Sequence, residues 1–225
     1  MFLQTLKHFN CTTDYALETL NGLNLEKLDR SFNSLPVDPY LAGNYRFRRL
    51  SRFQIVDDRL VKLPHGCLFQ SKAYNPLLGD VVREYEELED SLITLPDFQK
   101  LVLEFFDFCR LCSTHTDVDV HQIRTITTSG TVGHPAPEGI HRDGADVVGI
   151  FCVNRKDITG GETLLYKSKQ DNPIFTKILN PSDLLVFSDH EFFHFTSTVT
   201  PTSSDVGVRD VFVFTCPGLF PTKDS

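Results

Sequence analysis

An α+β fold is predicted, with helices concentrated in the first half of the chain and a β core in the second. Three observations carry this. Apolar residues recur at helical spacing in segments up to residue 112; short β-rich runs punctuated by Gly, Pro and Asp take over after residue 120; and no repeat, low-complexity stretch or long linker divides the 225 residues. One domain over 1–225 is expected, with about 1–115 as its helical and flanking part and about 116–217 as most of its β core. A content of 40% hydrophobic residues with nineteen Phe is enough to fill one interior.

The elements follow in order. Over residues 13–28, apolar positions 16, 17, 20, 23, 25 and 28 approximate a helix, with Thr12 or Thr13 able to cap its start. Pro36 and Pro39 end that pattern. Residues 45–53 alternate aromatic and basic side chains, which predicts a strand whose Arg46, Arg48, Arg49 and Arg52 are solvated or reach acidic partners. Within 76–95, Leu78, Val81, Val82, Tyr85 and Leu88 could form a helical stripe behind a solvated acidic run. Pro96–Cys112 predicts an amphipathic helix burying Phe98, Leu101, Val102, Phe105, Phe106 and Phe108. Residues 121–127, 147–153, 162–166, 184–187 and 210–215 predict strands.

The formal net charge of −8 argues against non-specific attraction to nucleic acid or an anionic membrane surface. Interleaved Arg and aromatics at 45–53 could bind single strands by stacking, yet one such patch in an acidic chain favours a structural strand. The longest apolar run, 147–153, needs Gly149 to reach seven residues, far short of a bilayer span. No secretion signal is evident at Met1–His8, so a cytoplasmic setting is expected. Six scattered cysteines fit a reducing compartment. Cys109 and Cys112 with His115 lack the second pair that a structural zinc site requires.

The residues suited to chemistry lie later. On a strand, His141 and Asp143 face one side while Arg142 faces away. A distant histidine would complete two His and one carboxylate, the facial set of non-haem Fe(II), leaving positions open for small molecules. His115-Thr116-Asp117 is a rival for that pair, but it follows a helix end. His141-Arg142-Asp143 lies between Gly139 and Gly144 and leads into an apolar strand that can hold ligands rigidly. For the third ligand, His190 and His194 share strand parity, so both stay open. Arg209 could hold a carboxylate bidentately, although for Arg209 on its own an ordinary salt bridge with an acidic residue would be the commoner explanation.

The segments 45–49, Pro137-Glu138-Gly139-Ile140-His141-Arg142-Asp143-Gly144, Gly160-Gly161-Glu162-Thr163 and 194–210 together resemble the 2-oxoglutarate- and Fe(II)-dependent dioxygenases. The likeness is to the small bacterial group that includes L-isoleucine 4-hydroxylase and BsmA-like proteins. It implies a double-stranded β-helix, the jelly-roll or cupin-like core, with N-terminal and flanking helices. It also implies iron on His141, Asp143 and His194, with His190 as the fallback, and 2-oxoglutarate held at its far carboxylate by Arg209. The implied reaction uses molecular oxygen to hydroxylate an aliphatic C–H bond of a free amino acid, with succinate and CO2 as coproducts.

A zwitterionic substrate needs a cation for its carboxylate and an acid or carbonyl for its ammonium, because buried charges require partners. Arg124 and Glu138 are the candidates. Gln122 shares a face with Arg124, so either could touch 2-oxoglutarate instead, or the two could form a structural pair. Two other classes compete: a non-catalytic jelly-roll module binding a small carboxylic acid, and a nucleic-acid binder using the arginines of 46–52.

Overall fold

The computed structural model describes residues 9–10, 15–203 and 206–219. Its strands are β1 (Tyr15–Thr19), β2 (Arg46–Val56), β3 (Arg59–Lys62), β4 (Asp117–Thr127), β5 (Val147–Lys156), β6 (Ile158–Gly160), β7 (Glu162–Tyr166), β8 (Phe175–Ile178), β9 (Asp183–Ser188), β10 (Phe193–Thr196), β11 (Val199–Pro201) and β12 (Gly207–Cys216). The helices are α1 (Leu25–Arg30), α2 (Asp90–Ile93) and α3 (Pro96–Cys112), with a 3-10 turn at Ser31–Ser34. Seven strands form one sheet in the order β1-β9-β5-β12-β4-β2-β3, and β10-β7-β8 and β11-β6 form two small ones. Every pairing is antiparallel.

Alternation along the strands divides the interior in two. Phe212 and Phe214 of β12 point outward onto α3, where Phe105 stacks on Phe214 at 5.1 Å and Phe98 meets Phe212 at 5.6 Å. Helix α3 starts with Pro96 in its first turn and buries all six of its predicted apolar positions against this face. Val148, Ile150, Leu185, Phe187 and Val211 point the other way and pack with Leu165 and Phe192 from the β7–β10 side. That second interior, between the large sheet and the small one, is the inside of the jelly roll. Among the described residues no helix is long and apolar enough to cross a membrane.

Three expectations need correction. Residues 13–28 do not form one helix: β1 pairs with β9 from Tyr15↔Phe187 to Thr19↔Asp183, and the helix begins only after Asn24, whose side chain accepts the Lys27 N–H at 3.1 Å. The proposed caps Thr12 and Thr13 lie outside the described residues. Residues 76–89 are not helical either. Leu68 and Arg83 exchange backbone hydrogen bonds of 2.7 and 2.9 Å, Leu50 N–H donates to Glu86 O, and Val82 is left 54% exposed. This segment runs extended along the part of β2 that β3 does not cover, and its acidic residues pair with Arg49.

The third correction concerns Arg48 of β2. Arg46, Arg49 and Arg52 reach acidic partners as expected, at Asp38, Glu86 and Asp119, but Arg48 forms no ion pair with a described residue and, like Arg46, is buried and points into the jelly roll. The first 115 residues also supply β1, β2 and β3 to the large sheet, so they are less helical than predicted.

Candidate metal centre

His141 and His194 meet directly across a backbone bridge: His141 N–H donates to His194 O at 3.0 Å and His194 N–H to His141 O at 2.8 Å. Their rings lie 4.1 Å apart. His141 is thus strand-like, Arg142 turns away over Phe193 while Asp143 turns back to the histidines, and the chain bends just after, at residues 144–146. Asp143 Oδ1 lies 3.7 Å from His141 Nε2 and Asp143 Oδ2 lies 3.6 Å from His194 Nε2. One ligand atom from each of the three residues falls within 4.8 Å of the others.

The backbone here is built for the bend. Gly139 and Gly144 have φ of +79° and +90°, a region that side chains with Cβ rarely adopt, and a Cβ on Gly144 would meet the Tyr74 ring at 3.0 Å. Asp189, fully buried, accepts the backbone N–H groups of Asp143, Gly144 and Ala145 at 3.1, 2.7 and 3.2 Å. Gln70 Nε2 donates to both the carbonyl and the carboxylate of Asp143 at 3.0 Å, and Gln70 Oε1 accepts from Arg83 at 2.7 Å. Asp143 is held from two sides.

The donor set fits a divalent first-row metal. His141 Nδ1–H donates to Gly139 O at 2.8 Å, which leaves the Nε2 lone pair facing the group. Burial, assisted by the charge of His141, keeps the His194 imidazole well below its ordinary pKa and so in the neutral, ligating form. Burial also depresses His141, but Glu138 and Asp143 outweigh it and raise its pKa. Asp189 is pushed up to about 7 by burial and by the neighbouring Asp143. Glu138, Asp143 and Asp189 thus crowd negative charge around two imidazoles, a balance that a dication relieves.

The other sequence candidates separate cleanly. His190 lies in a turn closed by Glu191 and Phe192 N–H groups on Ser188 O, and its 68%-exposed side chain pairs with Asp146. His194 is therefore the histidine beside Asp143. His115 is exposed, 3.9 Å from Asp117, and among the described residues no third ligand joins them. Arg142 leaves the cavity and lies over the Phe193 ring.

Glu138 lines the cavity, with Oε1 3.2 Å from His141 Nε2. Gln122 and Arg124 do share a face, but it is the wrong one for a ligand. Gln122 donates to Ser31 Oγ, and Arg124 makes a bidentate pair with Asp210 at 2.7 and 2.8 Å, both outside the cavity.

Arg209 does face the cavity, beside Thr196, Val211 and Val213. It is buried, and its guanidinium has no carboxylate partner among the described residues. Burial lowers its pKa to about 10. Sequence reasoning missed Arg48, Gln70, Arg83, His121 and Asp189. The Ser188-Asp189 pair ending an apolar strand was a faint signal for the last, whereas Gln70 and Arg83 reach the site through an irregular segment that carries none.

Comparison with known proteins places this geometry. Residues 29–215 match the profile of the 2OG-Fe dioxygenase family. The chain is 25% identical over 200 residues to 3(1)-hydroxy-L-isoleucine 4-dioxygenase of Pantoea ananatis, covering 85% of this chain and 80% of that protein. It is 28% identical over 209 residues to L-isoleucine-4-hydroxylase of Bacillus thuringiensis, covering 89% and 86%. A crystal structure of a bsmA homolog from Methylobium petroleophilum PM1 superposes with a TM-score of 0.79 at 28% identity, over 95% of this chain and 92% of that one. With its profile matched over most of its length and a His-Asp-His group at the mouth of a jelly roll, the chain belongs to the 2OG-Fe dioxygenase family, which uses Fe(II) and 2-oxoglutarate.

Proposed function

We propose that the protein hydroxylates an aliphatic C–H bond of a free L-amino acid or close derivative, with succinate and CO2 as coproducts. The observation that carries this reading is one cavity in which His141, Asp143 and His194 adjoin a buried, carboxylate-free Arg209 and walls of Leu68, Leu78, Ile150, Val211 and Val213. His141, Asp143 and His194 would hold the iron, and Arg209 the far carboxylate of 2-oxoglutarate. Together, iron and cosubstrate supply the activation of oxygen and the oxidative decarboxylation that drives it.

The chain's own work is binding and aim. Arg209 fixes the cosubstrate by a planar fork in a site where burial strengthens the pairing. Aliphatic walls accept an apolar side chain, exclude water and hold one C–H bond toward the metal. Glu138 takes the substrate ammonium: once a metal occupies His141 Nε2, its carboxylate is free for another cation. The substrate class agrees with the isoleucine and hydroxyisoleucine named for the two relatives.

Incubating anaerobically iron-loaded protein with 2-oxoglutarate and a pool of the twenty amino acids, then admitting oxygen, tests the reading. A mass gain of one oxygen on one or a few aliphatic members, matched by succinate, is the expected result. Succinate without any modified amino acid would remove the substrate class. Carboxylate binding with no iron-dependent succinate at all would favour a non-catalytic binding module instead.

A further inference from the structure

Two buried arginines in the cavity face no carboxylate. Arg48, on β2, and Arg83, on the extended segment beside it, are 8% and 1% exposed, and neither forms an ion pair with any described residue. Arg48 touches His121 Nδ1 and lies over the Tyr85 ring, 4.5 Å from its centre. Arg83 donates to Gln70 Oε1, and the Nε atoms of both arginines have no acceptor. His121 adds no third positive charge, because burial and the nearby arginines hold its imidazole well below its ordinary pKa. The adjacent Arg46 is different: Asp38 neutralises it at 2.8 Å.

Buried cations of one sign, side by side and with unused donors, constitute an anion seat. It is a second seat, distinct from Arg209. The strand order β12-β4-β2 puts Arg48 two strands from β12, and the registers Arg48↔Ile123 and Arg209↔Thr125 offset the two arginines along the sheet as well. At about 4.8 Å per strand, their backbones are on the order of 10 Å apart. The one far carboxylate of 2-oxoglutarate would sit on Arg209, leaving Arg48 and Arg83 for another anion.

We propose that Arg48 and Arg83 bind the carboxylate of the substrate, with Glu138 opposite them taking its ammonium, so that the zwitterion is fixed by a cationic and an anionic wall of one cavity. The assignment rests on the amino-acid reading above and replaces Arg124, which Asp210 neutralises on the other face of the sheet. Arg83 also holds Gln70, which holds Asp143, so the substrate seat and a metal ligand share one hydrogen-bonded chain.

Calorimetric titration of the anaerobic protein loaded with Fe(II) and 2-oxoglutarate tests this. The probes are the twenty amino acids, the carboxamide of each one that binds, and 3-methylpentanoate, a branched acid without an amino group. At least one amino acid should bind, and its carboxamide should bind about 30-fold more weakly or worse, as expected for loss of a charge-assisted fork. Arg48→Met and Arg83→Met should each weaken the free acid about 10- to 100-fold, shrink the preference for acid over amide, and leave 2-oxoglutarate affinity within about threefold. Arg83→Lys, which keeps the cation, should fall between; it and Arg48→Met carry the test if Arg83→Met does not fold.

Equal binding of acid and amide would overturn the seat while leaving an amino-acid substrate in place. So would variants that weaken 2-oxoglutarate and spare the amino acid. If no amino acid binds but 3-methylpentanoate does, and both arginines are needed, the seat stands and the amino-acid reading falls. Binding of none of these carboxylates to the wild-type protein overturns the seat outright.

Discussion

Asp143→Ala is expected to lower 2-oxoglutarate-dependent succinate formation by at least about 10³-fold, beyond the 10- to 100-fold typical of disturbing a metal ligand's outer partners. The reason is local. Among the described residues only the Asp143 carboxylate approaches both His141 Nε2 and His194 Nε2, so its loss leaves the two imidazoles with no anionic group between them. The loop should survive the change. Asp189 binds the backbone N–H groups of residues 143–145, and Gln70 still has the Asp143 carbonyl, so neither depends on the deleted side chain. A thermal transition close to that of wild type together with lost Fe(II) binding is the expected pair of results. Retained turnover would remove Asp143 from the metal site.

Arg209→Lys should raise the half-saturating 2-oxoglutarate concentration about 10- to 100-fold, the range set by losing one charge-assisted hydrogen bond of a bidentate pair. Two effects act together. A lysine offers a point charge in place of a planar fork, and the burial that lowers Arg209 to about 10 acts on a group whose ordinary pKa is already lower, at about 10.4. The ammonium would thus hold its charge less firmly than the guanidinium, just where a carboxylate needs it. Steady-state kinetics with 2-oxoglutarate varied at saturating iron measures this, and an unchanged half-saturation would take the cosubstrate away from Arg209.

What the sequence makes legible is period more reliably than direction. Helix α3 was readable because six apolar residues repeat on one face and that face is buried against the sheet. Alternation in β2 and β4 was equally plain, yet alternation does not say which side is inside. Arg46 finds the acidic partner expected of it, at Asp38, but it and Arg48 point into the cavity; Gln122 and Arg124 do share a face, but it is the outer one. A one-residue choice of sign moves every side chain of a strand across the sheet.

Local spacing also fails where distant pairing decides. Apolar positions 16 and 17 suit a helix, but β9 recruits them into an edge strand, and the segment around Arg83 gives up its helical stripe to bridge Leu68 and cover β2. The metal group was more accessible, because His141 and Asp143 are close in sequence and flanked by glycines that the bend requires. Choosing His194 over His190 needed the turn after Ser188, which no parity argument contains.

The central claim is that His141, Asp143 and His194 hold iron while Arg209 holds 2-oxoglutarate. Its most direct test is a crystal structure of the protein grown anaerobically with Fe(II) and 2-oxoglutarate, with the metal located by anomalous scattering at the iron edge. One iron peak contacting both Nε2 atoms and the Asp143 carboxylate, with the far carboxylate of 2-oxoglutarate on the Arg209 guanidinium, is the expected result. Iron at any other residues, or that carboxylate seated on Arg48 and Arg83, would contradict it.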